Sequence, residues 1–161
     1  MKKLLTIVSK GEGYSADVID NGDGSFQFVG DMDIDVDGSP FWKNDPSGQA
    51  DTSLHYKGKP IDSSIVPGIV LPPEIIRAVK GIVLGCKAEV TYKGRSRAAV
   101  VFDTGPHNKL GEASYCLATR LGIPARMNGN GGVDEQAVTY KFWPGIPALV
   151  DGITYGLQKS G

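Results

Sequence analysis

The 161-residue sequence is short of long apolar runs, cysteines, histidines and excess charge, and each shortage excludes a class of protein. No stretch approaches the roughly 18 apolar residues that a membrane-spanning helix needs. The formal net charge is −1, which argues against a globally basic nucleic-acid-binding protein. The two histidines and two cysteines, His55, His107, Cys86 and Cys116, show none of the short spacings of structural zinc sites. We therefore predict no metal centre and no cofactor.

The first eight residues partly resemble a secretion signal. Two lysines precede the apolar run Leu4–Val8, but the run ends after five residues. A signal peptide needs an apolar region of about 7–15 residues. We therefore expect a first β-strand here. In a chain without a visible signal, Cys86 and Cys116 are expected to be free buried thiols rather than a disulfide.

Glycine and proline are abundant instead. The 22 glycines and 10 prolines favour many turns and short strands over long helices. The predicted strands are Leu4–Val8, Ser25–Val29, Ile65–Leu71, Ile82–Tyr92, Arg97–Phe102, Val138–Trp143 and Ile153–Leu157, with a hairpin turn at 93–96. The predicted helices are Glu74–Val79 and Ala113–Leu121. No low-complexity linker divides the chain, so we expect one mainly β domain over residues 1–161, a compact barrel with short helical inserts.

Acidic residues are concentrated between Glu12 and Asp62, which hold 11 of the 18 acids and only three lysines. Within this region four aspartates alternate with apolar residues: Asp31, Asp33, Asp35 and Asp37. In an extended segment all four would point to one side, with the apolar residues on the other. Four carboxylates on one face repel each other, so they need water, a cation or a cationic ligand.

The same run matches the start of a calcium loop, but this match is incomplete. The twelfth position, where an EF-hand places a bidentate acid, is Asn44. A solvated strand face, some other cation site and the wall of a groove for a cationic sugar all stay open from the residues alone.

A pair of acids follows the predicted strand at residues 97–102. Asp103 ends that strand, a turn rich in glycine and proline follows, and Glu112 is expected to open the second helix. Such a turn can bring both carboxyl groups to the rim of one cleft. Glycoside hydrolysis needs two carboxyl groups, one protonated and one ionised. However, Glu at a helix start and Asp before Thr-Gly are also ordinary structural residues.

The wider pattern around these acids resembles the fungal chitosanases, family 75 of the glycoside hydrolases. The resemblance is strongest from Asp103-Thr104-Gly105-Pro106 through Gly111-Glu112-Ala113-Ser114. Further matching stretches run in order from about residue 30 to 145: Met32-Asp33-Ile34-Asp35-x-Asp37-Gly38, Asp45-Pro46, Gln49-Ala50-Asp51-Thr52-Ser53, Val66-Pro67 with Val70-Leu71-Pro72, Leu84-Gly85, and Phe142-x-Pro144-Gly145.

This resemblance implies a six-stranded double-psi β-barrel and an endo-acting hydrolase that cleaves β-1,4-linked glucosamine polymers with inversion. It carries the two catalytic carboxylates onto Asp103 and Glu112. We expect Glu112 to be the general acid and Asp103 the general base, since Glu has the higher reference pKa. An inverting pair is held about 6.5–9.5 Å apart. Both acids should therefore line one groove, with residues 31–37 along its wall.

The implied substrate is a polycationic polysaccharide, which an acidic groove would attract. We therefore predict substrate binding by Asp31, Asp33, Asp35 and Asp37, with Trp42 and Trp143 stacking on sugar faces. Tyr56 and Tyr140 are further stacking candidates. We expect neither nucleic acid nor membrane as a partner, and the oligomeric state stays open.

Two other functions remain compatible with the sequence. A non-catalytic glycan-binding or phage structural protein on the same barrel would keep Asp103 and Glu112 as turn and helix-cap residues, and a peptidoglycan-cleaving enzyme would use them on another glycan. The glycine-rich loop at 128–132 precedes a strand and could close over a groove. Without a visible signal, we expect a cytoplasmic or phage-associated protein, or a secreted one if a leader was removed.

Overall fold

Six strands form a closed ring in the computed structural model, which describes residues 1–158. The strands are β1 (Lys2–Val8), β2 (Ser15–Asp20), β3 (Phe26–Asp35), β4 (His55–Tyr56), β5 (Lys59–Pro60), β6 (Gly68–Leu71), β7 (Cys86–Tyr92), β8 (Arg95–Thr104), β9 (Glu112–Ser114), β10 (Val133–Pro147), β11 (Leu149–Val150) and β12 (Ile153–Thr154). The ring runs β3-β10-β7-β8-β6-β9 and returns to β3. The prediction of a mainly β protein with a six-stranded barrel is confirmed.

Two of the pairings in the ring are parallel, β6 with β8 and β3 with β9, and the others are antiparallel. β1 and β2 form a hairpin that extends the sheet beside the first residues of β3. The double-psi connectivity and the single-domain assignment over residues 1–161 stay predictions.

The barrel core follows from strand alternation. In β7 the side chains of Cys86, Ala88 and Val90 are buried while the residues between them are more exposed. In β8 both faces are covered, because Val101 packs in the barrel core and Phe102 packs in a second apolar cluster under β11 and β12. This explains the continuous apolar run at the end of β8.

The β7–β8 connection has the predicted hairpin turn. Lys93 has φ 48° and Gly94 has φ 78°, so both central residues adopt the left-handed conformation of a type I′ turn. The predicted strand Ser25–Val29 is the first half of β3, which continues in extended conformation as far as Asp35. The sequence interpretation did not include β2.

Residues 1–158 contain two short α-helices, α1 (Pro73–Ala78) and α2 (Tyr115–Arg120). The first agrees with the prediction, but the second begins two residues later than predicted. Ser114 caps it, since its hydroxyl oxygen accepts a hydrogen bond from the Leu117 amide. The expectation that Glu112 opens this helix is therefore wrong: Glu112 lies in β9. None of the helices in residues 1–158 has the length and apolar character needed to cross a bilayer.

Both cysteines are buried and free. Cys86 lies in β7 within the barrel core, and Cys116 lies in α2. Neither thiol reaches the groove described below.

Candidate active site

β6 brings the two candidate catalytic acids to opposite sides of one residue. Val70 pairs in register with Asp103 of β8 on one side and with Glu112 of β9 on the other. Paired residues on neighbouring strands project to the same face of the sheet, and strands lie about 4.8 Å apart, so the two Cα atoms lie about 10 Å apart. The structure thus brings Asp103 and Glu112 to one side of the barrel.

Both acids line one groove, with a cavity volume of about 360 Å³. Ile34, Asp35 and Asp37 form part of its wall, whereas Asp31 and Asp33, which the sequence interpretation also placed along it, do not line it. The remaining lining comes from the loop after β3, from Val70 and from the turn after Asp103: Asp45, Ser47, Gln49, Ser53, Val70, Thr104, Gly105 and Pro106. Five of the lining side chains are carboxylic acids, so the groove is strongly acidic.

Asp103 is held by three hydrogen bonds to a single oxygen. Its Oδ1 accepts from the Ser53 hydroxyl at 2.5 Å, from the Ser53 amide at 3.1 Å and from the Thr104 amide at 2.9 Å. These bonds favour the ionised form, but burial outweighs them and raises the pKa of Asp103. The bonds fix the orientation of the carboxylate, and Oδ2 accepts no hydrogen bond from residues 1–158.

Glu112 has a different environment. Residues 1–158 donate no hydrogen bond to its carboxyl group, which lies beside Gly105 at the groove. Burial raises its pKa to about 7, against the opposing effect of the Lys109 ammonium, and the nearby carboxylates of Asp33, Asp37 and Asp103 raise it further. A carboxyl group with a pKa near 7 can hold a proton at neutral pH and donate it.

Asp35 and Asp37 lie beside this pair. Asp35 accepts a hydrogen bond from the Asp37 amide at 2.7 Å, and Asp37 accepts one from the Gln49 amide at 2.7 Å. Burial, followed by the neighbouring carboxylates, raises the pKa of Asp35 to about 8. Burial is also the main cause that raises the pKa of Asp37 to about 6.

Three of these carboxyl groups form a close cluster. Asp35, Asp37 and Asp103 each have an oxygen within 4.8 Å of the others. Carboxylates this close cannot all be ionised unless a cation joins them, so the cluster shares protons or receives a positively charged group. Acid clusters alone do not define a metal site, and we assign none.

Asp31 and Asp33 are used differently. Asp31 is buried and accepts a hydrogen bond from the Tyr14 hydroxyl at 2.8 Å. Asp33 forms an ion pair with Lys109, which also pairs with Glu12. The acidic run is therefore divided: its first two aspartates hold neighbouring segments in place, and its last two line the groove.

Trp42 lies close to the groove without lining it. It begins a single 3-10 turn, Trp42–Asn44, in the loop whose following residues, from Asp45 to Gln49, supply part of the lining. Its carbonyl oxygen packs against Gly48. Trp42 is partly exposed, and its stacking on a sugar stays a prediction.

The structure does not bring Trp143 to the groove. Its neighbour Phe142 pairs with Phe26 at the start of β3, the opposite end of that strand from the groove. Two ammonium groups lie near the indole ring, with the Lys87 and Lys141 Nζ atoms at 4.5 Å and 5.2 Å from its centroid. Such contacts stabilise the half-buried ring on its strand.

The two tyrosine candidates also have other partners. Tyr140 is buried in the core, where it stacks on Phe28 at 4.8 Å between centroids. Tyr56 packs edge-on against Tyr155 at 5.4 Å.

The glycine-rich loop at 128–132 touches the wall of the groove. A side chain at Gly129 would meet the carboxylate of Asp45, and one at Gly132 would meet the carbonyl oxygen of Met32. The loop thus packs between Asp45, in the segment after β3, and the backbone of β3 at Met32. Closure of this loop over the groove stays a prediction.

Sequence reasoning missed several residues of the site. Ser53, Thr104 and Gly105 contact the two candidate catalytic acids, and Lys109 acts on Glu112 by its charge. Ser53 and Gly105 lie in the stretches that carry the family resemblance, and this was the available signal. For Lys109 the sequence offered none, because its partner Glu12 is 97 residues away.

A larger cavity, of about 650 Å³, lies beside the β7–β8 turn. Its charged lining mixes Lys93 and Arg95 with Asp134 and Glu135. Because its two acids are balanced by two basic side chains, it lacks the concentrated negative charge of the acidic groove.

Because burial raises the pKa of several acids, we expect the free energy of unfolding to fall as the pH rises. A carboxyl group whose pKa is higher in the folded than in the unfolded protein binds its proton more tightly when folded, so the free energy of unfolding falls above its unfolded pKa. With the pKa of Asp35 at about 8 and that of Glu112 at about 7, the fall should extend from about pH 4 to pH 8, with a slope of up to about 1.4 kcal/mol per pH unit for each proton that only the folded protein retains.

Urea unfolding at pH 4 to 8, followed by tryptophan fluorescence, measures this slope. Asp35→Asn should flatten it, whereas Asp17→Asn, an exposed change on β2, should not. A stability that increases through this range would contradict the assigned environment of the acids.

Comparison with known proteins places most of the chain in one family. The family model for fungal chitosanase of glycosyl hydrolase group 75 matches residues 32–154. An endo-chitosanase C from Aspergillus oryzae strain RIB 40 is 31% identical over 143 residues, which covers 78% of this chain and 33% of the relative. A second endo-chitosanase C from Aspergillus oryzae is 32% identical over 130 residues, with the same coverage. The chain spans about a third of the length of these relatives.

Proposed function

Because the chain belongs to the fungal chitosanase family, glycosyl hydrolase group 75, we propose that it is an endo-acting glycoside hydrolase that cleaves β-1,4-linked glucosamine polymers with inversion. The observation that carries the proposal is the acidic groove in which Asp103 and Glu112 lie on either side of Val70. An open groove suits an internal segment of a long polymer, which is what an endo-acting enzyme binds.

In the proposed reaction Glu112 is the general acid. Its buried carboxyl group donates its proton to the glycosidic oxygen as the bond to the anomeric carbon breaks, so the leaving sugar departs as a neutral alcohol. Burial keeps the pKa of Glu112 near 7, so the proton is present in mildly acidic and neutral solution.

Asp103 is the proposed general base. It takes a proton from a water molecule, which attacks the anomeric carbon from the face opposite the leaving group and so inverts its configuration. Three hydrogen bonds from Ser53 and Thr104 hold one of its oxygens and favour the ionised form that a base requires. With the two backbones about two strand spacings apart, a sugar and a water can fit between the carboxyl groups.

The remaining acids fit a cationic substrate. Protonated glucosamine units carry positive charge, and Asp35, Asp37 and Asp45 line the groove beside the proposed catalytic pair. The attraction between a polycation and an acidic groove also concentrates substrate at the site. A bound ammonium group would further allow the clustered carboxyl groups to ionise together.

A panel of glycans tests the proposed function. The protein is incubated separately with chitosan, chitin and peptidoglycan, and chain length and reducing ends are followed. We expect a rapid fall in chitosan chain length, with the α-anomer as the first product by proton NMR. Cleavage of peptidoglycan alone would favour the peptidoglycan-cleaving alternative, binding without cleavage would favour a binding protein, and an initial β-anomer would exclude inversion.

The charge of the groove predicts a salt-sensitive affinity. The double change Asp37→Asn and Asp45→Asn should raise KM for chitosan by about tenfold in dilute buffer, since it removes two attractive charges. Added salt should raise KM of the parent protein, because it screens the same attraction. The difference in KM between the parent protein and the double variant should therefore become smaller. Asp17→Asn, which removes a charge on β2, serves as the control. If KM changes neither in the double variant nor with added salt, these acids have no electrostatic role in substrate binding.

A further inference from the structure

Lys109 is a largely buried cation at the edge of the candidate site. Its side chain is 20% exposed, and its ammonium group pairs with Glu12 and with Asp33. Burial lowers the pKa of Lys109, while the nearby charge of Glu112 opposes this effect. The lysine precedes Glu112 by three residues, in the loop that leads from β8 to β9.

The turn between β1 and β2 holds this loop. The Lys10 amide donates to the Asn108 carbonyl oxygen at 2.8 Å, and the Leu110 amide donates to the Ser9 hydroxyl oxygen at 3.1 Å. The ion pair between Glu12 and Lys109 is a third connection. Three contacts on successive loop residues fix the path of the chain that enters β9.

The next residue of the loop is also fixed from the same side. Gly111 has φ 79° and packs so closely on Asp31 that an added Cβ would lie 2.0 Å from its carboxylate oxygen. Tyr14, at the end of the hairpin turn, donates its hydroxyl hydrogen bond to that carboxylate. The Asp33 amide then donates to the Gly111 carbonyl oxygen at 2.7 Å, directly before Glu112.

The hairpin that makes these contacts lies outside the part of the chain that the family model matches, which begins at residue 32. The geometry points to an additional role for it: through Glu12 and Lys109, the β1–β2 hairpin is a positioning element that sets the place and charge environment of Glu112. This inference rests on the proposed function, in which Glu112 is the general acid.

Several charged groups face Glu112 from the elements packed around it. Asp33, Asp35 and Asp37 approach from β3 and the residues after it, Asp103 approaches from β8, and Lys109 is the cation among them. Removal of the Lys109 charge therefore leaves Glu112 with negative neighbours, which favours its protonated form. Glu12 contacts Lys109, so its effect on Glu112 should pass through the lysine.

The test uses Lys109→Met, Lys109→Arg, Glu12→Gln and the Glu12→Gln/Lys109→Met double variant. Lys80→Met, at an exposed lysine without an ion pair in residues 1–158, is the control for loss of one positive charge. The first readout is the pH dependence of kcat/KM for chitosan. The second is the Glu112 carboxyl titration by carbon-13 NMR, with the signal assigned from its loss in Glu112→Gln.

Lys109→Met should move the basic limb of the pH profile and the Glu112 titration upward by about one pH unit. Lys109→Arg and Lys80→Met should change neither the pH profile of kcat/KM nor the titration of Glu112. Glu12→Gln should lower kcat by about threefold or more in the parent protein and by much less in the Lys109→Met background, since the two residues are coupled. The double variant also removes the repulsion between Glu12 and Asp33 that Lys109→Met alone would leave.

Failure of this inference and failure of the proposed function give different results. If Lys109→Met shifts neither the pH profile nor the NMR titration, the ion pair is only structural and the inference is overturned. If the parent protein cleaves none of the glycans while Lys109→Met still shifts the titration, the proposed function fails and the link between Lys109 and Glu112 stands.

Discussion

Glu112→Gln and Asp103→Asn are each expected to lower kcat for chitosan cleavage by about 10²- to 10⁴-fold, the usual contribution of a general acid or base. Each change keeps the shape of the side chain and removes its proton chemistry. Asn at position 103 can still accept the hydrogen bonds from Ser53 and Thr104 through its carbonyl oxygen. The loss of rate should therefore occur without loss of structure.

Both variants should in fact be more stable than the parent protein at pH 8. Burial raises the pKa of both acids, so their ionised forms are unfavourable in the folded state, and a neutral amide removes that cost. Reducing-end assays and urea unfolding measure the two effects on the same samples. The controls are Glu89→Gln on β7 and Asp17→Asn on β2, which should keep full activity. Full activity in either site variant would remove that residue from the mechanism.

Gly105→Ala is expected to lower kcat by about 10²-fold, because it displaces Glu112 without disturbing the fold. A Cβ at position 105 would lie 2.8 Å from Oε2 of Glu112 and 3.0 Å from a methyl carbon of Val70. The carboxylate is the far end of a flexible side chain, so it moves away at low cost. The backbone of Gly105 does not require the left-handed conformation, so alanine introduces no backbone strain there, and Val70 needs only a small shift.

The comparison variant is Gly156→Ala, where the added methyl group meets nothing within 4 Å. Gly156→Ala should unfold within about 0.5 kcal/mol of the parent protein, and Gly105→Ala, whose methyl group displaces Val70 slightly, within about 1 kcal/mol. Only Gly105→Ala should lose activity, and its KM should change little. An active Gly105→Ala protein would mean that the position of the Glu112 carboxyl group is not critical for the reaction.

Local patterns in the sequence predicted the features that depend on neighbouring residues. The β7–β8 hairpin follows from Lys93-Gly94 between two alternating segments, and the start of α1 follows from its prolines. The pairing of Asp103 with Glu112 at one groove came from the resemblance, since the eight residues between them allow many separations. What places them is β6, whose Val70 contacts both neighbours in register.

The features that the sequence did not predict depend on distant contacts. Residues 112–114 have a helix-like pattern but pair with β3, which is nearly 80 residues earlier in the chain. Because of this pairing, α2 begins only at Tyr115. The acidic run looked uniform because its spacing is uniform. Tyr14 and Lys109, which are far from it in sequence, make Asp31 and Asp33 structural.

β9 has only three residues, yet it joins β3 to β6 and so closes the barrel. Glu112, the proposed proton donor, is the first of these three residues. The pairings of β9 with β3 and β6, here called the seam of the barrel, therefore also hold the proposed acid in place. Separation of this seam would expose the amides of residues 112–114 to hydrogen exchange and remove the acid from Asp103 at the same moment. On heating, activity should therefore be lost at the temperature at which β9 separates. A barrel opened only at this seam would already be inactive.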